Sequence, residues 1–118
     1  MTLKRVEEQY RGLTYTWGRL DHPEETPFQV APGVWWLRFT MPGPLNHINL
    51  WLLRDEFEGI QGWTIVDCGI ANDETKVAWD QIFATQLEGL PVLRVIVTHM
   101  HPDHVGLSQW LCEKWNAP

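Results

Sequence analysis

Basic residues are scarce in this chain, with nine Lys and Arg against fifteen Asp and Glu and a net charge of −6 at pH 7. Without a Lys/Arg cluster there is no electrostatic footprint for a phosphate backbone, which argues against nucleic acid as a partner and leaves small molecules. Cysteine is scarcer still. Cys68 and Cys112 fall in different predicted elements and show no metal-ligand spacing, so they read as free thiols rather than a disulfide or a closed structural zinc site. No apolar stretch approaches membrane-spanning length, and the first eight residues lack the apolar core of a signal peptide. A cytoplasmic protein with no membrane partner is expected. Repeats and low-complexity segments are also missing.

A length of 118 residues with 44% hydrophobic content suffices for one modest core. Residues 1–12 fit a short charged helix. Residues 13–33 carry Pro, Thr and Gly without clear periodicity and read as an extended lead-in, so 1–33 form an N-terminal arm ahead of a domain over 34–118. Strands are predicted at 34–40 and 47–54, joined by a turn over Met41, Pro42, Gly43 and Pro44. The polar stretch 55–62 reads as a turn into a third strand at 63–66, whose end carries Asp67.

Asn72, Asp73, Glu74 and Thr75 give a helix start. Val77, Trp79, Ile82, Phe83, Leu87 and Leu90 then recur at helical spacing until Gly89 and Pro91 stop them. Residues 92–97 form a β-branched, buried strand with Thr98 as its last residue. Leu107, Trp110, Leu111 and Trp115 make a second amphipathic stripe. The expected fold is α/β (α+β): a β-meander, a helix, a strand and a second helix. Most of the eight tryptophans are expected to fill core volume, Trp51 from a strand and Trp79 and Trp110 from helices, with ligand stacking an alternative for one or two.

Chemistry concentrates at Thr98, His99, Met100, His101, Pro102, Asp103, His104, Val105 and Gly106. Three imidazoles and a carboxylate fall within six residues directly after an apolar strand. With five His in 118 residues, chance gives this pattern in roughly fewer than one such chain in a thousand, so ordinary surface polarity is a poor explanation. His99 and His101, two apart, point the same way if the backbone stays extended and can chelate one metal. Pro102 suits the first turn of a helix, so Asp103 and His104 project from another direction toward a second metal position. Imidazole and carboxylate suit Zn²⁺ or iron.

Asp67 and His99 both lie just past strand C-termini, where α/β sheets build sites if the two strands are parallel neighbours. There Asp67 can hold the ligand loop or accept a hydrogen bond from a ligating imidazole, the alternative being a turn-forming Asp before Gly69. Cys68 is read as a small core residue rather than a stray ligand. His22 and His47 are read as surface residues.

The stretch from Thr98 to Gly106 resembles the signature of the metallo-β-lactamase superfamily. Residues 46–53 resemble that family's early strand, and Ile65, Val66, Asp67, Cys68 and Gly69 its next strand ending in Asp-x-Gly, so the resemblance covers roughly residues 30–118. It implies the N-terminal half of an αββα sandwich. It also implies His99 and His101 in a first metal site, Asp103 and His104 in a second, and Asp67 as a supporting carboxylate. Two zinc ions per complete site would supply metal-bound hydroxide to attack esters, thioesters, lactones or related small molecules, with Asp103 orienting the nucleophile. The family's third His for the first site, its bridging Asp and its last His come from sequence downstream of Pro118.

Two other expectations follow. One is a mononuclear iron dioxygenase acting on thiol-derived substrates, as in persulfide dioxygenases. The other is a non-catalytic, weakly metal-binding fragment that self-associates as a homo-oligomer where a missing C-terminal half would pack.

Overall fold

Ile48, Leu50 and Leu52 alternate with Asn49, Trp51 and Leu53, a two-residue period that sends one set of side chains to each face of a sheet. The computed structural model describes residues 8–10, 13–15, 27–41 and 47–118. It has two short strands, β1 (Glu8–Tyr10) and β2 (Leu13–Tyr15), paired antiparallel. A five-stranded sheet follows: β3 (Phe28–Ala31), β4 (Val34–Thr40), β5 (His47–Phe57), β6 (Ile60–Val66) and β7 (Val92–Ile96), lying side by side in chain order. Pairing is antiparallel up to β6 and parallel between β6 and β7. That last step is crossed by α1 (Asp73–Thr85), and α2 (Pro102–Val105) and α3 (Ser108–Trp115) follow β7.

One face of the sheet carries the core. Ile48, Leu50 and Leu52 of β5 sit opposite Phe39, Leu37 and Trp35 of β4, and Leu52 sits opposite Ile65 of β6. Trp79 and Ile82 of α1, with Leu107 and Leu111, close over them. Trp79 is fully buried, edge-on to Phe39 at 5.1 Å and stacked on Phe83 at 5.6 Å. On the other face Trp36 and Trp51 stack at 6.3 Å. There too Arg94 and Thr64 both donate to the Asp55 carboxylate.

The meander, the helix, the motif strand and the final helix stand where the sequence places them, and β4 has the predicted bounds. Several boundaries are corrected. Glu8–Tyr10 is a strand rather than part of a helix, and residues 1–7 and 11–12 lie outside the described residues. The sheet begins inside the predicted lead-in, since Phe28–Ala31 pairs with β4. The predicted turn at Met41 to Pro44 lies outside the described residues except for Met41, and so does His22.

The polar stretch 55–62 is mostly strand. The ladder runs on to Phe57 opposite Ile60, leaving Glu58 and Gly59 as a two-residue turn with φ of 53° and 80°. Positive φ at both positions matches the right-handed strand twist. Helix α1 stops at Thr85, short of Leu87 and Leu90. Leu87 still reaches the core from the following loop, whereas Val77, predicted on the buried stripe, is 56% exposed. Asn72 does start this helix, its Oδ1 accepting from the Thr75 amide at 2.8 Å and the Thr75 hydroxyl at 2.7 Å. Both cysteines are free thiols, Cys68 buried and Cys112 half-buried. No helix among the described residues is long and apolar enough to cross a membrane.

Candidate functional site

Parallel pairing of β6 with β7 brings Asp67 and Thr98 together across 31 positions of sequence. The Asp67 amide donates to Ile96 O at 2.8 Å, one last rung beyond the ladder. Asp67 then takes a left-handed φ of 67°, a conformation Asp tolerates better than most residues. Its side chain, only 6% exposed, accepts from the Thr98 amide at 2.8 Å and from Thr98 Oγ1 at 2.8 and 3.0 Å. His104 Nδ1 completes the set at 2.8 Å from Asp67 Oδ2. Burial pushes the Asp67 pKa up, but the Thr98 amide, the His104 imidazole and the Thr98 hydroxyl together outweigh it and hold the carboxyl below its usual range.

The chain after β7 departs from the predicted extension. The strand ends at Ile96, and residues 98–101 bend continuously into α2, where Pro102 takes the first helical position. His99 and His101 still share a side, their ring centroids 4.7 Å apart. His99 stands closer to His104, at 3.8 Å, so the three imidazoles form one cluster rather than two separated pairs.

Close backbone contacts seat the cluster. The Cys68 amide donates to His104 O at 2.8 Å, and Trp79 Nε1 donates to Cys68 O at 2.7 Å, linking α2 through residue 68 to the helix core. Gly106 lies so near that a Cβ there would stand 2.8 Å from Gly69 O and 2.8 Å from Ala71 N. Cys68 itself is a core residue, as expected. Burial first, then Asp67 and Cys112, push its thiol up to about 12, so it offers no thiolate at neutral pH.

The side chains gathered here, imidazoles and a carboxylate, are of the types that ligate zinc and iron. Nδ1–H of a neutral His104 is committed to Asp67, which leaves Nε2 as a lone pair. Asp103 Oδ2 lies 3.5 Å from that Nε2, so two electron-rich atoms face a shared space that a cation can bridge. His99 and His101 are exposed on the same rim. No three His, Cys, Asp or Glu side chains among the described residues converge on a single metal position, so the donors are gathered but not drawn into a coordination sphere.

Thr98 was legible only as a strand's last residue. Its hydroxyl lies between Asp67 and His99 Nδ1, at 3.0 Å from the latter. A Thr directly ahead of the first His was the signal available. His47 opens β5, half-buried.

Comparison with known proteins agrees with this fold. A β-lactamase domain protein from Burkholderia ambifaria superimposes with a TM-score of 0.80 at 56% identity, over 86% of this chain and 30% of that one. A metallo-β-lactamase family protein from Thermus thermophilus gives 0.61 at 32% identity, over 75% of this chain and 28% of that one. The chain therefore spans less than a third of the length of either structure. No curated protein matches it in sequence. The family model of the metallo-β-lactamase superfamily matches residues 43–118, the part that holds the parallel crossover and the imidazole cluster. With more than half its residues inside that match, the chain belongs to the metallo-β-lactamase superfamily.

Proposed function

We propose that this chain carries the first metal ligands of a hydrolase that cleaves small-molecule esters, thioesters, lactones or related substrates. The observation that carries the reading is the Asp67–His104 pair, which presents Nε2 of His104 beside the Asp103 carboxylate. His99, His101, Asp103 and His104 are the residues that would hold zinc. When bound, zinc lowers the pKa of water toward neutrality and polarises a carbonyl oxygen.

The chain's own groups have separate tasks. Asp67 fixes the His104 ring and ties Thr98 to the end of β6, so the imidazoles enter the site with their ring planes set. Asp103, with its side chain 23% exposed, can reach solvent and orient an attacking water by accepting its hydrogen bond. A net charge of −6 supports a small molecule rather than a polyanion as substrate. Two free thiols support a reducing, cytoplasmic setting.

The test pairs metal content with turnover. The chain, equilibrated with Zn²⁺ and freed of excess, is assayed for bound zinc per chain and against a panel of an ester, a thioester and a lactone. The expected result is weak zinc retention that falls further in His99→Ala and His104→Ala, with negligible hydrolysis by this chain alone and metal-dependent hydrolysis of one panel member once the downstream ligands implied by the family are supplied. Retention of iron in preference to zinc, with oxygen uptake on a thiol-derived substrate, would replace this reading by dioxygenation.

A further inference from the structure

The Thr98 hydroxyl lies 2.8 and 3.0 Å from the two carboxylate oxygens of Asp67 and 3.0 Å from His99 Nδ1. A hydroxyl has one proton to give and two lone pairs with which to accept. An ionised carboxylate can only accept, and its bond from a hydroxyl is charge-assisted, so the Thr98 proton belongs to Asp67. Turned toward His99 instead, it would leave two short oxygen–oxygen contacts with no proton in either, at a side chain only 6% exposed. With its proton directed to Asp67, Oγ1 can meet His99 Nδ1 only as an acceptor. That contact requires Nδ1–H on His99 and leaves the lone pair on Nε2.

We propose that Thr98 is a positioning residue that sets the tautomer of His99, so that one buried carboxylate directs two imidazoles, His104 by direct contact and His99 through a single hydroxyl. The purpose of this arrangement rests on the metal reading above. The tautomer itself is a property of the chain alone and is read without metal.

Long-range proton–nitrogen NMR of the ¹⁵N-labelled full chain, metal-free and raised in pH until the imidazole shifts no longer move, distinguishes the two ring nitrogens directly. His99 and His104 are both expected as Nδ1–H forms. Thr98→Val keeps the side-chain shape and the backbone donor to Asp67 but removes the acceptor. His99 is then expected to become a mixture of both tautomers. His104 should stay Nδ1–H, which also shows that the variant is folded.

Thr98→Ser should restore His99, a rescue that loss of packing alone does not explain. Zn²⁺ affinity, titrated with the metal alone, is expected to fall about ten- to a hundredfold in Thr98→Val and to recover in Thr98→Ser. An Nε2–H tautomer at His99 in the unmodified chain, or a His99 signal unmoved by Thr98→Val, would overturn the proposal. If the tautomers behave as stated and no Zn²⁺ binds, the positioning role stands and the metal reading fails.

Discussion

Replacing Asp67 by Asn changes one oxygen into an NH₂ group at the best-connected side chain of the site. In the native chain the carboxylate serves the Thr98 amide at 2.8 Å, the Thr98 hydroxyl at 2.8 and 3.0 Å and His104 Nδ1 at 2.8 Å. The amide of Asn has one acceptor for these three donors. The Thr98 N–H cannot reorient, so it claims the oxygen, and the NH₂ group then faces Thr98 Oγ1 and His104 Nδ1. His104 must reverse, moving its proton to Nε2, while the Thr98 hydroxyl loses its Oδ2 acceptor and keeps only the longer contact to Oδ1, now on a neutral amide.

Hydrogen bonds to a charged group are worth about 1.5–3 kcal/mol and neutral ones about 0.5–1.5 kcal/mol, so each of three downgraded bonds loses about 1 kcal/mol. The three share one carboxylate and are not additive, which brings the expected loss to about 2–3 kcal/mol. Asn tolerates the left-handed φ of 67° as well as Asp does, so backbone strain adds nothing. With a urea slope of about 2 kcal/mol per M, the unfolding midpoint should fall by about 1–1.5 M at unchanged slope. A midpoint within about 0.3 M of the parent chain would refute the claim that this carboxylate holds the site together by charge-assisted bonds.

Gly106→Ala places a Cβ 2.5 Å from Pro102 O, 2.8 Å from Ala71 N and 2.8 Å from Gly69 O, backbone atoms that cannot swing aside. A loss of about 1–3 kcal/mol in urea unfolding is expected, although its φ of −50° suits Ala well. Asp55 is held below its ordinary value of 3.8 chiefly by the Thr64 hydroxyl, with burial opposing and Arg94 assisting. A lowered native pKa gives stability that is full above the unfolded value and is lost as pH falls through the native one. Asp55→Asn should therefore lower the urea midpoint near neutrality and flatten its decline below about pH 4. In the native chain at pH 7, iodoacetamide should label Cys112 and spare Cys68, which is fully buried with a thiol pushed up to about 12. Rapid labelling of Cys68 without denaturant would contradict that burial.

Strong periodicity made the core legible. Trp79 and Ile82, on the predicted helical stripe, are 2% exposed or less, and Leu50, Leu52 and Ile65 of the predicted strands are fully buried. The motif was legible as composition, because three imidazoles and a carboxylate within six residues rarely arise by chance. The sequence was least informative where polar residues sit in regular structure. Asp55, Glu56 and Gln61 looked like a turn but extend a hairpin, because Asp55 pairs with Arg94 and Glu56 with Gln61 across strands. That compensation depends on partners up to 39 positions away.

Leu87 and Leu90 fitted the helical stripe of α1 without belonging to it, since an apolar residue in the next loop can enter the same core by another path. The role of Thr98 was invisible for a related reason. Its meaning is set by where Asp67 stands, and only the parallel crossover fixes that.

The crossover also bears on the order of assembly. Strands β4, β5 and β6 pair through hairpins of short sequence separation, whereas Asp67 meets Thr98 only after the whole of α1 has been spanned. Contacts that close long loops form against a larger entropy cost and tend to set the slow step of folding. The His99 and His104 tautomers are therefore expected to mature with the slowest folding phase, later than the tryptophan burial of the meander. A chain caught before that step would hold most of its sheet and present its imidazoles without direction.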